Sequence, residues 1–327
     1  PFKPGTHFRY NTSATYMASA MVQKATGETV LDYLRPRLFE PLGIDHPTWE
    51  ESPERISTGG YGLSIRTEDI ASFGQLYLQK GRWNGQQLVP EAWIDEATAR
   101  QTSNGSNPDS DWDQGYGYQF WRCRHGAYRG DGAFGQYCIV LPEEDAVIAI
   151  TSGLGNMQAA LNLVWDKLLP AFHSEELPAN PDGVAQLAQR MRSLMLRTVS
   201  PPLNATIAKA DVRGKRFVFP ANDLRLESLM LDLPIDARSF ATLRQHVAGV
   251  ESRVNLALGS WVRDKAAWGT LKEQPVAACG AWTADNQLTA KLCFYETPFI
   301  VTLKADFADD QVKLVAQPNV GFGGAKP

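Results

Sequence analysis

The chain has 327 residues, of which 43% are hydrophobic and 21% charged, the balance of a globular protein. Its length exceeds one ordinary core, so two domains are expected. A formal net charge of −4 leaves no basic field to recruit nucleic acid, and no apolar run approaches the roughly 20 residues of a membrane helix.

In chain order, Ala14–Thr26 has helical period, with Met17 and Met21 on one face and Gly27 as its stop. Thr29 then caps a second helix along Val30, Leu34 and Leu38, which ends at Pro41. The glycine-rich STGGYGLSIRTEDI (57–70) leads into a third helix, with Thr67 as cap, Glu68 and Asp69 at the positive end, and Ile70, Phe73 and Tyr77 as buried line. WNGQ (83–86) carries the Asn-Gly turn signal, and Pro90 opens a fourth helix containing Trp93, Ile94 and Ala97. GYGYQFW (115–121), GAYRGDG (126–132), GQYCIVL (135–141) and AVIAITS (146–152) read as four short strands of an antiparallel meander. A closing helix with Leu161, Val164, Leu168 and Phe172 on one stripe completes an α+β domain over residues 1–173.

HSEELPANPDG (173–183) has the texture of a linker. Beyond it come a helix (184–196) and a β-rich accessory domain over 184–327, with a turn at Asp285-Asn286, as a small sandwich or barrel. Trp261, Trp268 and Trp282 there form either a sugar platform or, on composition, a core. Cys123, Cys138, Cys279 and Cys293 show no CxxC pair and no histidine neighbours, so no metal is expected. Spacing permits the pairs Cys123–Cys138 and Cys279–Cys293, but four buried thiols are the preferred reading.

No phosphate loop, HExxH or G-x-S-x-G occurs, and His7, His46, His125, His173 and His246 are too scattered to propose a triad. A longer pattern carries more: PGTHFRYNTSATYMASAMVQKATGETVLDYLRPRLFEPLGI, then STGGYGLSIRTEDIASFGQLYL, then GYGYQFW, then RGDGAFGQYCIVLPEEDAVIAITSG. In this order and spacing the segments resemble the serine β-lactamase-related hydrolases, which include class C-like β-lactamases, penicillin-binding proteins, D-aminopeptidases and esterases. The resemblance covers roughly residues 1–172. It implies a β-lactamase-like antiparallel sheet packed with helices, an acyl-enzyme mechanism without cofactor, and a periplasmic or secreted setting.

That family combines a Ser-x-x-Lys nucleophile, a Tyr-x-Asn tyrosine, and Lys-Thr-Gly or His-x-Gly on an edge strand. A serine hydroxyl needs a neighbouring base, and the oxyanion formed on acylation needs backbone donors. No Ser-x-x-Lys occurs in the 327 residues. In the family it lies upstream of the tyrosine, so the chain reads as beginning after it and as inactive alone. Tyr10 matches the tyrosine. Thr12 stands where the amide usually stands, and either Asn11 replaces that amide or the substrate contact differs; Asn11, Thr12 or Ser13 also caps the following helix. Gly130-Asp131-Gly132 falls at the third element without its cation. On the resemblance, Gly132 admits substrate to the strand edge and the Ala133 N–H is an oxyanion donor; on the bland reading this is a tight hairpin. Arg129 and His125 are the nearby cations, both expected on the solvated side of a strand. Tyr116, Tyr118 and Trp121 either wall the cleft or pack in the core.

The expected function is therefore a serine hydrolase of small esters or amides. The alternative is a ligand- or cell-wall-binding protein of the same fold. No nucleic-acid partner and no membrane span are expected, and the sequence does not set the oligomeric state.

Overall fold

The computed structural model describes residues 2–3, 5–202, 210–233, 240–269 and 271–322. The chain divides into two compact units, Pro1–Leu177 and Pro178–Pro327. Among the described residues no helix is long and apolar enough to cross a membrane.

The first unit begins with α1 (Thr12–Thr26), two residues earlier than its apolar period indicates. Asn11 starts it, because its Oδ1 accepts from the Ser13 and Ala14 backbone N–H groups. Gly27, in the left-handed region at φ 76°, stops it. Met17 and Met21 share a face but are 55% and 62% exposed. The inward contact is Ser19, whose hydroxyl donates to the Ser57 carbonyl at 2.6 Å. Next comes α2 (Val30–Leu34), capped by Thr29 as expected. It widens into a π turn (Arg35–Phe39) closed by the Glu40 N–H on the Arg35 carbonyl, since Pro36 has no N–H for the α-helical ladder. Then follow α3 (Glu40–Leu42), the short pair β1 (Thr48–Trp49) and β2 (Leu63–Ser64), and α4 (Thr67–Leu78).

Thr67 does not cap α4. It is the first helical residue and its hydroxyl meets that of Thr151. The work falls to Asp69, whose Oδ2 accepts from the Arg66 backbone N–H at 2.8 Å; at the third helical position its carboxylate also complements the positive helix end. Gly74 lets α4 lie directly on the sheet, for a Cβ there would stand 2.5 Å from Val147 Cγ1 and 2.8 Å from Cys138 Sγ. The hairpin β3 (Arg82–Trp83) and β4 (Gln86–Gln87) turns on Asn84-Gly85, both at positive φ, as an Asn-Gly turn requires. Pro90 then opens α5 (Glu91–Thr98).

The meander forms a four-stranded antiparallel sheet in the order β5 (Trp121–Arg122), β6 (Tyr128–Gly132), β7 (Gln136–Leu141), β8 (Ala146–Ile150). Its first strand is shorter than the alternation in GYGYQFW suggests. Gly115–Phe120 stays irregular, held by a Thr102–Tyr116 bridge and turned at Gln119, φ 67°. One sheet face packs Tyr128 and Val140 against Tyr77, Ile94, Ala97 and Phe120. The other packs Tyr137, Ile139 and Leu141 against Leu161, Val164 and Trp165. Those last three belong to α6 (Met157–Leu163) and the π turn Val164–Leu168 that continues it. That turn shifts the register, so Trp165 replaces Leu168 and Phe172 on the buried line, and both of the latter are exposed.

The second unit opens with α7 (Pro181–Arg192), set by the Asn180 cap and Pro181 at the first helical position, rather than at Val184. Among the described residues nine strands follow: β9 (Arg216–Val218), β10 (Leu226–Asp232), β11 (Ala241–Val247), β12 (Val250–Leu258), β13 (Val262–Trp268), β14 (Leu271–Ala284), β15 (Gln287–Cys293), β16 (Ile300–Ala308) and β17 (Gln311–Pro318). They form one sheet in the order β17-β16-β15-β14-β12-β11-β10-β9, with β13 also on β14. The sheet curls until Phe217 of β9 meets Phe307 of β16 at 5.4 Å, and Lys215 reaches Asp310. It is nearly closed, nearer to a barrel than to a sandwich. Its lining is apolar, with Leu229, Leu231, Leu256, Leu292 and Phe294 fully buried. Each contributes roughly 1.5–3 kcal/mol on burial. Trp268 and Trp282 belong to this core, and Trp261 donates to the Leu196 carbonyl, so the three tryptophans make no platform. All four cysteines are free and buried.

Candidate active site

Tyr10 stands immediately before the Asn11 cap of α1, 55% exposed. Its ring stacks on Trp121 of β5, centroids 5.8 Å apart and planes 21° from parallel. Tyr116 meets the same indole edge-on at 4.9 Å, and Phe8 closes on Tyr116 at 4.7 Å. One indole thus joins the segment before α1 to the loop before β5. Each such ring pair is worth roughly 0.5–1.5 kcal/mol beyond the area it buries. Of Tyr116, Tyr118 and Trp121, the structure brings Tyr116 and Trp121 to Tyr10. Tyr118 lies elsewhere, its hydroxyl donating to Glu96 at 2.8 Å and its ring beside Trp93 of α5.

Beneath the rings lies Arg129, fully buried and not on a solvated face as its sequence neighbourhood suggests. Its Nε donates to Asp131 Oδ2 at 2.8 Å, and its Nη1 to the Asp111 carbonyl at 2.8 Å and to Cys123 Sγ at 3.1 Å. The guanidinium lies 4.7 Å from the Trp112 ring centroid and 5.6 Å from that of Trp121. A cation buried in this way needs partners; its Nε and Nη1 have them, while the buried Nη2 has no hydrogen-bond partner among the described residues. His125 sits at the far hairpin turn against Trp165.

Asp111, also fully buried, anchors the loop that carries Trp112 and Tyr116. Its carboxylate accepts from Arg124 Nη2 (3.0 Å), Gln158 Nε2 (2.6 Å) and Trp165 Nε1 (2.9 Å). Burial pushes this carboxyl up, but the hydrogen bonds outweigh it and hold Asp111 below its ordinary value. Asp131 behaves oppositely: burial raises it from its ordinary value, with Arg129 pulling back only in part. Tyr116 is pushed up to about 12, first by burial and then by the charges of Tyr10 and Asp131. Near neutral pH it is a neutral hydroxyl, fit to donate rather than to act as a base.

The backbone completes the geometry. β5 pairs with β6 only at Trp121–Arg129 and Arg122–Tyr128. The outer edge of Gly130–Gly132 therefore runs on without a strand partner among the described residues, while its inner edge pairs with Gln136–Cys138. Ala133 follows at the hairpin turn, its carbonyl accepting from Gln136 Nε2 at 3.3 Å. Opposite the aromatic cluster, the 57–62 loop lies on α1. A Cβ at Gly60 would stand 2.8 Å from Thr12 Cγ2, so Thr12 packs against this loop. Asn11 Oδ1 is engaged in capping.

Sequence reasoning missed Asp111, Trp112 and Phe8, and it named Arg129 but placed it on a solvated face. Nothing in the local pattern marks an arginine for complete burial; the five aromatics from Trp112 to Trp121 were the available signal. Among the described residues no cluster of His, Cys, Asp and Glu has the makings of a metal site.

Comparison with known proteins gives a beta-lactamase family model matched over residues 1–163. A Bacillus anthracis structure named as a 6-aminohexanoate-dimer hydrolase is 21% identical with a TM-score of 0.44, covering 51% of this chain and 45% of its own. A Bacteroides dorei DSM 17855 structure named as a beta-lactamase is 18% identical at TM-score 0.39, covering 47% and 54%. The octameric penicillin-binding protein homologue from Pyrococcus abyssi is 14% identical at TM-score 0.40, covering 97% and 65%. The chain thus spans from under half to just under two thirds of those proteins' lengths. No curated protein sequence matches it.

Proposed function

The chain belongs to the beta-lactamase family through residues 1–163, a family of serine hydrolases, and on that premise we propose that it forms the tyrosine-and-edge-strand half of a serine hydrolase acting on small neutral esters or amides. The observation that supports this most is the convergence of Tyr10, Trp121 and Tyr116 near a strand whose Gly130–Gly132 edge has no partner. In such a site the acyl group of the substrate lies along that edge. Tyr10, exposed and next to the helix start, takes or relays the proton of the attacking serine. The Ala133 N–H and the N–H of the nucleophile hold the oxyanion. Water then resolves the acyl-enzyme.

The nucleophile itself is not among these residues, because no Ser-x-x-Lys occurs in them. Acylation therefore requires a segment carrying that motif, and the 327 residues alone are inactive. Neutral substrates are favoured over free carboxylates because the cation nearest the edge, Arg129, is buried and shared among Asp131, the Asp111 carbonyl and the Cys123 thiol.

The test takes two proteins: these 327 residues, and the same residues in one chain with a Ser-x-x-Lys segment encoded in the same reading frame. The first should turn over no p-nitrophenyl ester. The second should, with an acyl adduct visible by mass spectrometry and a loss of about 10²–10⁴ in kcat on Tyr10→Phe. Saturable turnover by the first protein that Tyr10→Phe abolishes would refute the need for an added nucleophile. If the reading frame holds no such motif, a ligand-binding protein of the same fold takes the place of the enzyme.

A further inference from the structure

The outer face of the second unit holds a cavity of about 350 Å³, lined by Arg216, Ser228, Met230, Asp232, Arg244, Gln245, His246 and Glu251. Strand register explains its chemistry. Met230 of β10 is paired with Arg216 of β9 on one side and with Arg244 of β11 on the other, and Arg253 of β12 continues the row. Directly paired residues point to the same face, so two guanidiniums flank one methionine, two strand spacings or about 10 Å apart at the backbone. Arginine stems are long enough to close that gap over the methionine.

Both guanidiniums are held from the side. Arg216 Nε donates to the buried Ser228 hydroxyl at 3.0 Å, and its two Nη groups have no hydrogen-bond partner among the described residues, although Glu227 is close enough to feel its charge. Arg244 Nε donates to Asp232 at 2.6 Å, and its Nη1 lies 3.9 Å from Glu251. His246, paired with Ser228 across the strands, is tied to Glu227 at 2.5 Å. Ser228, His246 and Glu227 have the composition of a hydrolytic triad. The serine, however, is buried and accepts from Arg216, while the hydrogen bond of His246 goes to Glu227 instead. The arrangement suits binding.

We infer that this cavity is a binding site for a tetrahedral oxyanion, a phosphate or sulfate monoester, clamped between Arg216 and Arg244 above Met230. Such a group offers oxygens in two directions and satisfies two guanidinium forks, whereas one carboxylate satisfies one. Asp232 and Glu251 keep Arg244 in place and nearly balance the local charge, so affinity is modest, near the millimolar range. The site is independent of the proposed hydrolase chemistry.

The experiment is calorimetric titration of the 327-residue chain with inorganic phosphate, sulfate and acetate. Phosphate should saturate, and acetate should bind about tenfold more weakly. Arg216→Ala and Arg244→Ala should each weaken phosphate by about tenfold or more. Lys313→Ala, which removes an exposed charge on β17, should change it by less than about twofold. No saturation by about 10 mM phosphate, or equal losses in all three variants, would overturn the proposal; the latter marks mere attraction to surface charge. Should Arg244→Ala disturb the fold, seen by circular dichroism, Arg216→Gln decides alone, since among the described residues its side chain hydrogen-bonds only Ser228. Glycerol 3-phosphate and phosphatidate vesicles then separate the sources. Competition by the soluble ester supports a small-molecule ligand, and capture by vesicles alone supports a lipid headgroup.

Discussion

The two units solve burial in different ways. In the first, Asp111 and Arg129 are buried and served by hydrogen bonds that cross between elements, and the buried Asp69 by a local bond from Arg66. In the second, the buried polar residues among those described are the uncharged Ser228, Gln245 and Thr289, and the core is a continuous apolar cluster. A charge network costs desolvation and is seldom the cheapest route to stability, but it fixes directions as apolar packing does not. The first unit needs direction: Arg129 and Asp111 orient the loop and the indole on which Tyr10 rests. The second needs only a closed lining, and it places its charges outside.

Breaking each unit at its own kind of centre sharpens the contrast. Asp111→Ala should cost about 3–5 kcal/mol, because Arg124, Gln158 and Trp165 all lose the buried carboxylate they share, read as a lowered midpoint in urea. Leu292→Ala, in the barrel lining, should cost about 2–5 kcal/mol through its cavity. The two losses differ in pH response. Asp111 has a folded-state pKa below its unfolded one, so its stabilisation is complete above the ordinary carboxylate range and fades as pH falls through the folded value. The penalty of Asp111→Ala should therefore shrink in acid, whereas that of Leu292→Ala should not; parallel behaviour would erase the distinction. Next in size, Gly74→Ala should cost about 1–3 kcal/mol by wedging α4 off Val147 and Cys138. Smallest, Asn11→Ala should cost about 1 kcal/mol and Asn11→Ser a few tenths. A much larger loss from Asn11→Ala would give Asn11 a structural role beyond capping.

What was legible in the sequence follows the same division. Caps, Asn-Gly turns and short alternating strands are local, and Thr29, Asn84-Gly85 and Asp285-Asn286 all stand where local chemistry puts them. The misreadings arise where distant groups decide. Thr67 has cap chemistry, but Asp69 reaches the Arg66 N–H. Leu168 and Phe172 keep an unbroken helical period that the π turn at Val164 displaces. Gly115–Phe120 alternates like a strand, yet a bridge to Thr102 bends it away. At the candidate site, Tyr10 and Tyr116 were readable from their pattern. Arg129 was not, because its burial depends on Trp112, Asp111 and Cys123 meeting around it, and no spacing rule encodes that.

The four buried thiols give each unit its own clock. Burial pushes Cys123 up to about 11 and Cys138 up to about 12, and raises Cys279 and Cys293 as well. An alkylating reagent therefore finds neither exposed sulfur nor thiolate until the surrounding structure opens. Two of the sulfurs lie in the first unit and two in the second. Peptide mapping of the labelled protein over time would then report two opening rates from one unmodified chain. A ligand that steadies one unit would announce which one by slowing its pair of cysteines alone.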